Sequence, residues 1–117
     1  MSITGIGTDI CEVSRIEKLL NEKGEQFIKR VLTPEEIKQK KQITPNHLAK
    51  RYAAKEAVAK ALGCGIGESL SFQDIQITNQ QNGKPELTVK GKEELTFHLS
   101  ISDETEYAVA MVVAETK

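Results

Sequence analysis

Tryptophan is absent from this chain, and three Phe and two Tyr are its only aromatic residues. The single core open to 117 residues must therefore be built from Ile, Leu, Val and Ala. Long apolar runs are missing as well. None approaches the roughly 20 residues needed to cross a bilayer, and the N-terminus lacks the basic and long apolar regions of a signal peptide. A cytoplasmic protein without a membrane partner is expected. Excess charge of either sign is also lacking: 16 Lys and Arg stand against 17 Asp and Glu, leaving −1. That balance argues against a nucleic-acid binder, which would favour a net basic domain. Cysteine is scarce, and the spacing of Cys11 and Cys64 suggests no zinc site, so both are expected as free thiols. With no repeat and no low-complexity linker, residues 1–117 read as a single domain.

What is present falls into helices early and strands late. Ile3 to Ile10 reads as a strand in which Gly5 and Gly7 let backbone pass close to another element. A helix beginning at Ser14 or Glu12 carries Val13, Ile16, Leu19 and Leu20 on one stripe and stops at Gly24. Phe27, Ile28 and Val31 add a short helical turn. Thr33-Pro34-Glu35-Glu36 is a strong helix start, with an N-cap, a first-position proline and a capping-box glutamate. Thr44-Pro45 repeats it for a helix from Asn46 to Leu62. Beyond the glycine loop 63–67, strands are expected at Phe72–Thr78, around Leu87 and Val89, at Phe97–Ser102 and at Tyr107–Val113. The order predicts an α+β fold, with N-terminal helices packed on a mainly antiparallel sheet.

Two charged stretches occupy core-like positions: Gly5-Ile6-Gly7-Thr8-Asp9-Ile10-Cys11-Glu12 and Arg51-Tyr52-Ala53-Ala54-Lys55-Glu56-Ala57. At about 100° per residue, Leu48, Tyr52, Val58, Ala59 and Leu62 fall within roughly 120° on the helix. Arg51 and Lys55 lie inside that stripe and Glu56 flanks it. Arg51 and Lys55 are like charges four residues apart, a conflict that a shared anion would remove. The plainer alternative runs both side chains along the helix rim to water and pairs Glu56 with Lys60. The helix by itself leaves both open. Asp9 alone would more often cap a helix starting near Glu12. Paired with Glu56, and joined by phosphate oxygens and water, it makes a site suited to Mg²⁺. Carboxylates beside basic groups point to phosphoryl chemistry. His98 shares a polar strand face with Ser100 and Ser102, which reads first as solvent-exposed. Gly63, Gly65 and Gly67 would let backbone approach a phosphate, a weak signal, and Asn82-Gly83 is first a hairpin turn.

Several ordered segments resemble the bacterial holo-acyl-carrier-protein synthases, the small trimeric class of phosphopantetheinyl transferase. They are Gly5–Ile10, Arg30–Glu36, Arg51–Ala57, Lys60–Gly67, Leu70–Ile75, Asn82–Pro85 and His98–Ser102. The resemblance implies active sites between neighbouring subunits of a homotrimer. It also implies transfer of 4′-phosphopantetheine from coenzyme A to a serine of acyl carrier protein, for fatty acid biosynthesis. Asp9 and Glu56 match the Mg²⁺ ligands. Glu56, directly or through a metal-bound water, would deprotonate the serine, and Lys60 would neutralise the pyrophosphate. Arg51, Lys55, Gly63, Gly65, Gly83, Lys84, Pro85 and His98 match the coenzyme A cleft, which Lys60 also borders. Arg15 and Arg30 would answer the acidic helix of the carrier.

This chain departs from the resemblance in two places. Asp103 stands where the family commonly has a second histidine, near the nucleotide, and Ala59 stands where a serine is frequent. The first is expected to weaken coenzyme A binding. Two other function classes share part of the pattern. One is a trimer that binds coenzyme A or carrier without turnover. The other is a metal-dependent phosphohydrolase of small pyrophosphates, which shares the site logic but not the ordered motifs.

Overall fold

A computed structural model describes every residue from Met1 to Lys117. The chain runs β1 (Ile3–Glu12), α1 (Val13–Lys23), α2 (Glu25–Val31), α3 (Pro34–Lys38) and α4 (Pro45–Ala61). A single 3-10 turn at Phe72–Asp74 leads to β2 (Ile75–Asn79), β3 (Pro85–Val89), β4 (Leu95–Asp103) and β5 (Tyr107–Thr116). β1, β5 and β4 form an antiparallel sheet with β5 in the centre, while β2 and β3 form a separate hairpin. The α+β architecture is the expected one.

Local chemistry sets the element ends. Glu12 is the N-cap residue of α1, and Gly24, with φ of 57°, breaks the chain between α1 and α2. The Thr33 capping box forms in full: Thr33 N–H donates to Glu36 Oε1 at 2.7 Å, and Glu36 N–H donates to Thr33 Oγ1 at 3.1 Å. The strand expected from Phe72 begins three residues later, at Ile75. Ser71 N–H donates to Asp74 Oδ2 at 3.0 Å, and this local cap draws Phe72–Asp74 into a turn.

α4 is the axis of the molecule. It crosses the inner face of β1 and β5 and is flanked by α1 and α2. Periodicity predicts one apolar stripe, yet α4 is buried on nearly every side, including Ala49, Ala53, Ala54, Ala57 and Ala61. Small residues explain the difference: alanine lets several elements approach one helix at once. The approach is closest at β1, where a Cβ on Gly5 would overlap the Ala61 carbonyl oxygen and one on Gly7 the Ala57 carbonyl oxygen. The expected close passage at these glycines is met here. No helix is long and apolar enough to cross a membrane.

Candidate active site

The β1–α4 crossing that excludes a Cβ at Gly7 also brings charge together. Alternation puts Gly5, Gly7, Asp9 and Cys11 on the strand face turned to α4. Lys60, in the last turn of α4, donates to Asp9 Oδ1 at 3.1 Å and to the Thr8 carbonyl at 2.9 Å. Asp9 is therefore tied to α4 rather than capping α1. Glu56 lies one helical turn before Lys60. Both Asp9 and Glu56 act electrostatically on the Cys11 thiol, whose pKa is raised by burial first and by these carboxylates in addition. Arg15 donates to Cys11 Sγ at 3.8 Å and lies 5.4 Å from the centre of the Tyr52 ring. Arg30 lies 6.0 Å from the Phe72 ring, which itself sits 5.3 Å from Tyr52. The two arginines thus lean on one row of aromatic side chains.

A second group of residues lines a cavity of about 440 Å³ further along the molecule. Its walls include Lys40, His47, Lys50 and Arg51, opposite Asn79, Gly83, Pro85 and Asp103. Arg51 is only 8 % exposed, and it donates to Asn79 Oδ1 at 3.5 Å, a long bond. Burial lowers its pKa, with Glu36 acting in the opposite direction. His98 and Lys84 line a neighbouring cavity of about 420 Å³ together with Pro85. His98 Nε2 is 3.0 Å from Glu115 Oε1.

A sequence model of the 4′-phosphopantetheinyl transferase superfamily matches residues 5–112, from β1 into β5. The chain belongs to this superfamily. It is 50% identical over 117 residues to a holo-[acyl-carrier-protein] synthase of Geobacillus sp. (strain WCH70), covering 97% of each chain. To the enzyme of that name from Aliivibrio fischeri (strain MJ11) it is 48% identical over 126 residues, covering 99% of this chain and 100% of the relative. Among solved structures, the Bacillus anthracis str. Ames holo-(acyl-carrier-protein) synthase in complex with CoA (3′,5′-ADP) superposes with TM-score 0.89 at 44% identity, covering both chains completely. The Helicobacter pylori synthase in complex with coenzyme A gives TM-score 0.86 at 37% identity over 94% of this chain and 99% of that one.

Within this phosphopantetheinyl transferase the anticipated site residues divide into separate groups. Asp9 and Lys60 pair at the β1–α4 crossing, and Glu56 lies one turn before Lys60 on α4. Arg51, Gly83 and Pro85 line the basic cavity, and Asp103 lies in the same wall. Gly63 and Gly65 are exposed in the loop that leaves α4. Lys55 is a correction. It is 0% exposed, and its ammonium donates to Val31 O at 2.8 Å, Glu36 Oε1 at 2.8 Å and Phe72 O at 3.0 Å. All three N–H groups are used inside the core, so Lys55 neither lines the cleft nor follows the rim to water. Glu36 completes the node by accepting from Ile77 N–H at 2.7 Å through Oε2. Ala59 is 0% exposed as well, so its side chain faces the core and not a ligand.

Lys40, His47, Lys50 and Asn79 are cavity residues that sequence reasoning passed over. The concentration of lysines between Lys38 and Lys60 was the available signal; nothing local marks His47 or Asn79. The donor set at the crossing suits a hard cation. Two carboxylates leave room for phosphate oxygens and water, as Mg²⁺ prefers, and no trio of His, Cys, Asp or Glu is gathered into a closed cage.

Proposed function

We propose that this chain acts as a holo-acyl-carrier-protein synthase in fatty acid biosynthesis. It moves 4′-phosphopantetheine from coenzyme A to a serine of apo-acyl carrier protein and releases adenosine 3′,5′-bisphosphate. The observation that carries the reading is the Lys60–Asp9 ion pair on the β1–α4 crossing, with Glu56 one helical turn before Lys60, in a chain 50% identical, over 97% of its length, to a relative named holo-[acyl-carrier-protein] synthase.

Each group has a role in the transfer. The serine oxygen forms a bond to the β-phosphorus as the bond to the bisphosphate oxygen breaks, and Glu56 accepts the serine proton. Lys60 neutralises charge on the departing phosphate. Asp9 and Glu56 would hold Mg²⁺, which when bound offsets charge on the pyrophosphate oxygens. Arg51, Gly83, Lys84, Pro85 and His98 hold coenzyme A from one side, and Lys60, Gly63 and Gly65 from the other. Arg15 and Arg30, exposed beside Tyr52 and Phe72, receive the acidic carrier.

A homotrimer with its sites between subunits is part of this reading. Two features support it. The outer face of the three-stranded sheet leaves Ile6 66%, Ile10 62% and Met111 49% exposed, an apolar patch suited to self-association. The crossing cluster and the basic cavity also occupy different parts of one chain, as halves supplied by neighbours would. Free Cys11 and Cys64 fit a reducing, cytoplasmic setting.

Mass spectrometry tests the proposal. Incubated with apo-carrier, coenzyme A and Mg²⁺, the protein should add one phosphopantetheine mass to the carrier. A well-folded protein that binds both partners but adds no mass would overturn the transferase in favour of a binding role. Cleavage of pyrophosphate substrates without carrier would favour a phosphohydrolase.

A further inference from the structure

The transferase reading draws on the basic cavity but gives no part to His47, which sits in its wall. His47 is the third residue of α4, and its N–H donates to Thr44 Oγ1 at 3.1 Å, which anchors the residue one turn before Arg51. It also borders a small adjoining pocket of about 30 Å³ with Glu36, Gln39, Lys40, Arg51 and Asn79. Charged groups reach this region from every element around it: Glu36 on α3, Lys40 just beyond it, Lys50 and Arg51 on α4, and Asp103 at the end of β4. Glu36 is already committed, with Oε1 to Lys55 and Thr33 N–H and Oε2 to Ile77 N–H. Asp103 is then the one acidic wall residue of the large cavity, against three permanent cations. Arg51, nine-tenths buried with one long bond to Asn79, keeps most of its donors for a ligand. A multiply charged anion fits this wall.

We propose that His47 is a further phosphate-binding residue of the cavity, neutral when the cavity is empty and protonated when a phosphate monoester group of the nucleotide occupies it. The inference rests on the coenzyme A reading above and deepens it. In the empty protein, burial first, then Arg51, Lys40 and Lys50, push the His47 pKa down to about 4. The N-terminal end of α4 disfavours a cation there too. A bound phosphate dianion reverses the local field. It screens the three cations from the ring and offers an acceptor to its N–H, so the imidazolium becomes the favoured form. The proton comes from solvent. Between the empty-state and bound-state pKa values, binding takes up a proton, and affinity rises as pH falls through that window.

Ring NMR of the full chain tests this directly, because His47 and His98 are its only histidines and His47→Gln assigns the signals. On saturation with adenosine 3′,5′-bisphosphate the His47 pKa should rise from about 4 into or above the ordinary range near ~6.5. Calorimetry in two buffers of different ionisation enthalpy should show proton uptake that His47→Gln abolishes. The variant should lose roughly tenfold in bisphosphate affinity at the acid end of the window and little at the alkaline end. An unmoved His47 pKa in the saturated protein, or uptake that survives His47→Gln, would overturn the proposal.

Carrier modification is assayed on the same samples. Modification with no His47 response removes His47 from the site and leaves the transferase standing. A His47 response without modification does the reverse. Should the bisphosphate fail to saturate, inorganic pyrophosphate is the second probe, and no shift with either overturns the proposal.

Discussion

Lys60 Nζ stands 3.1 Å from Asp9 Oδ1 and 2.9 Å from Thr8 O, joining the last turn of α4 to β1. The ammonium thus holds in place one carboxylate of the pair on which the proposed chemistry depends. Asp9→Asn and Glu56→Gln should each lower carrier modification on the order of 100-fold or more while leaving the far-UV spectrum and melting temperature close to the parent. The Mg²⁺-dependent part of the rate should disappear with them. Turnover near the parent value in either variant would remove that residue from the site.

Gly7 carries a steric demand from the same crossing. In Gly7→Ala the new Cβ meets backbone, the Ala57 carbonyl oxygen, which cannot rotate away. β1 must lift from α4, and urea unfolding should show a loss of about 1–3 kcal/mol. Transfer should fall further than the folded fraction does, because Asp9 moves with the strand while Glu56 stays on the helix.

Lys55 and Glu36 form a buried ion pair at 2.8 Å, with side chains 0% and 3% exposed. Removing one partner strands a charge in the core, so Lys55→Met alone should cost about 3–5 kcal/mol. A double-mutant cycle with Glu36→Gln should return clear coupling, read by denaturant unfolding. In the folded fraction of Lys55→Met, the coenzyme A KM should stay near the parent value. A large KM rise would return Lys55 to the cleft.

Ile10 and Met111 expose apolar surface on the outer sheet face. Ile10→Lys and Met111→Lys should yield monomers by light scattering, with secondary structure kept and transfer lost, since the proposed site is completed by a neighbour. A monomeric variant with full activity would confine the site to one chain.

His47 also affects stability. Its folded pKa, about 4, lies below the unfolded value of 6.5, so in this range the unfolded chain binds a proton that the folded chain refuses. Stability should therefore decline as pH falls through 6.5 towards 4. His47→Gln should remove that part of the decline in urea midpoints, and bisphosphate should reduce it in the parent protein.

Much of this was legible from residue order. Thr33-Pro34 and Thr44-Pro45 announced helix starts through local hydrogen bonding, and alternation in Phe97–Ser102 marked a strand. Gly5 and Gly7 flagged a close backbone contact without naming what would make it. The site was harder to read, because a helical wheel shows which side chains share a face and not what lies against that face. On that basis Arg51 and Lys55 looked alike. They separate only because Glu36 arrives from α3, with the Val31 and Phe72 carbonyls, to enclose Lys55, while Arg51 opens on a cavity. The plainer alternative, in which Glu56 pairs with Lys60 along the helix, gives way to a bond from Lys60 to Asp9 across the crossing.

The sequence by itself determined the α+β class, the capped helix starts and the two glycines at the close contact. Each depends on interactions within a few residues or on a periodic pattern. Tertiary structure alone decided which cations line a cavity and which lie in the core, and it brought His47, Lys40 and Asn79 to one wall. Those outcomes depend on contacts between distant elements, where burial and the competition for hydrogen-bond partners are settled by packing rather than by spacing along the chain.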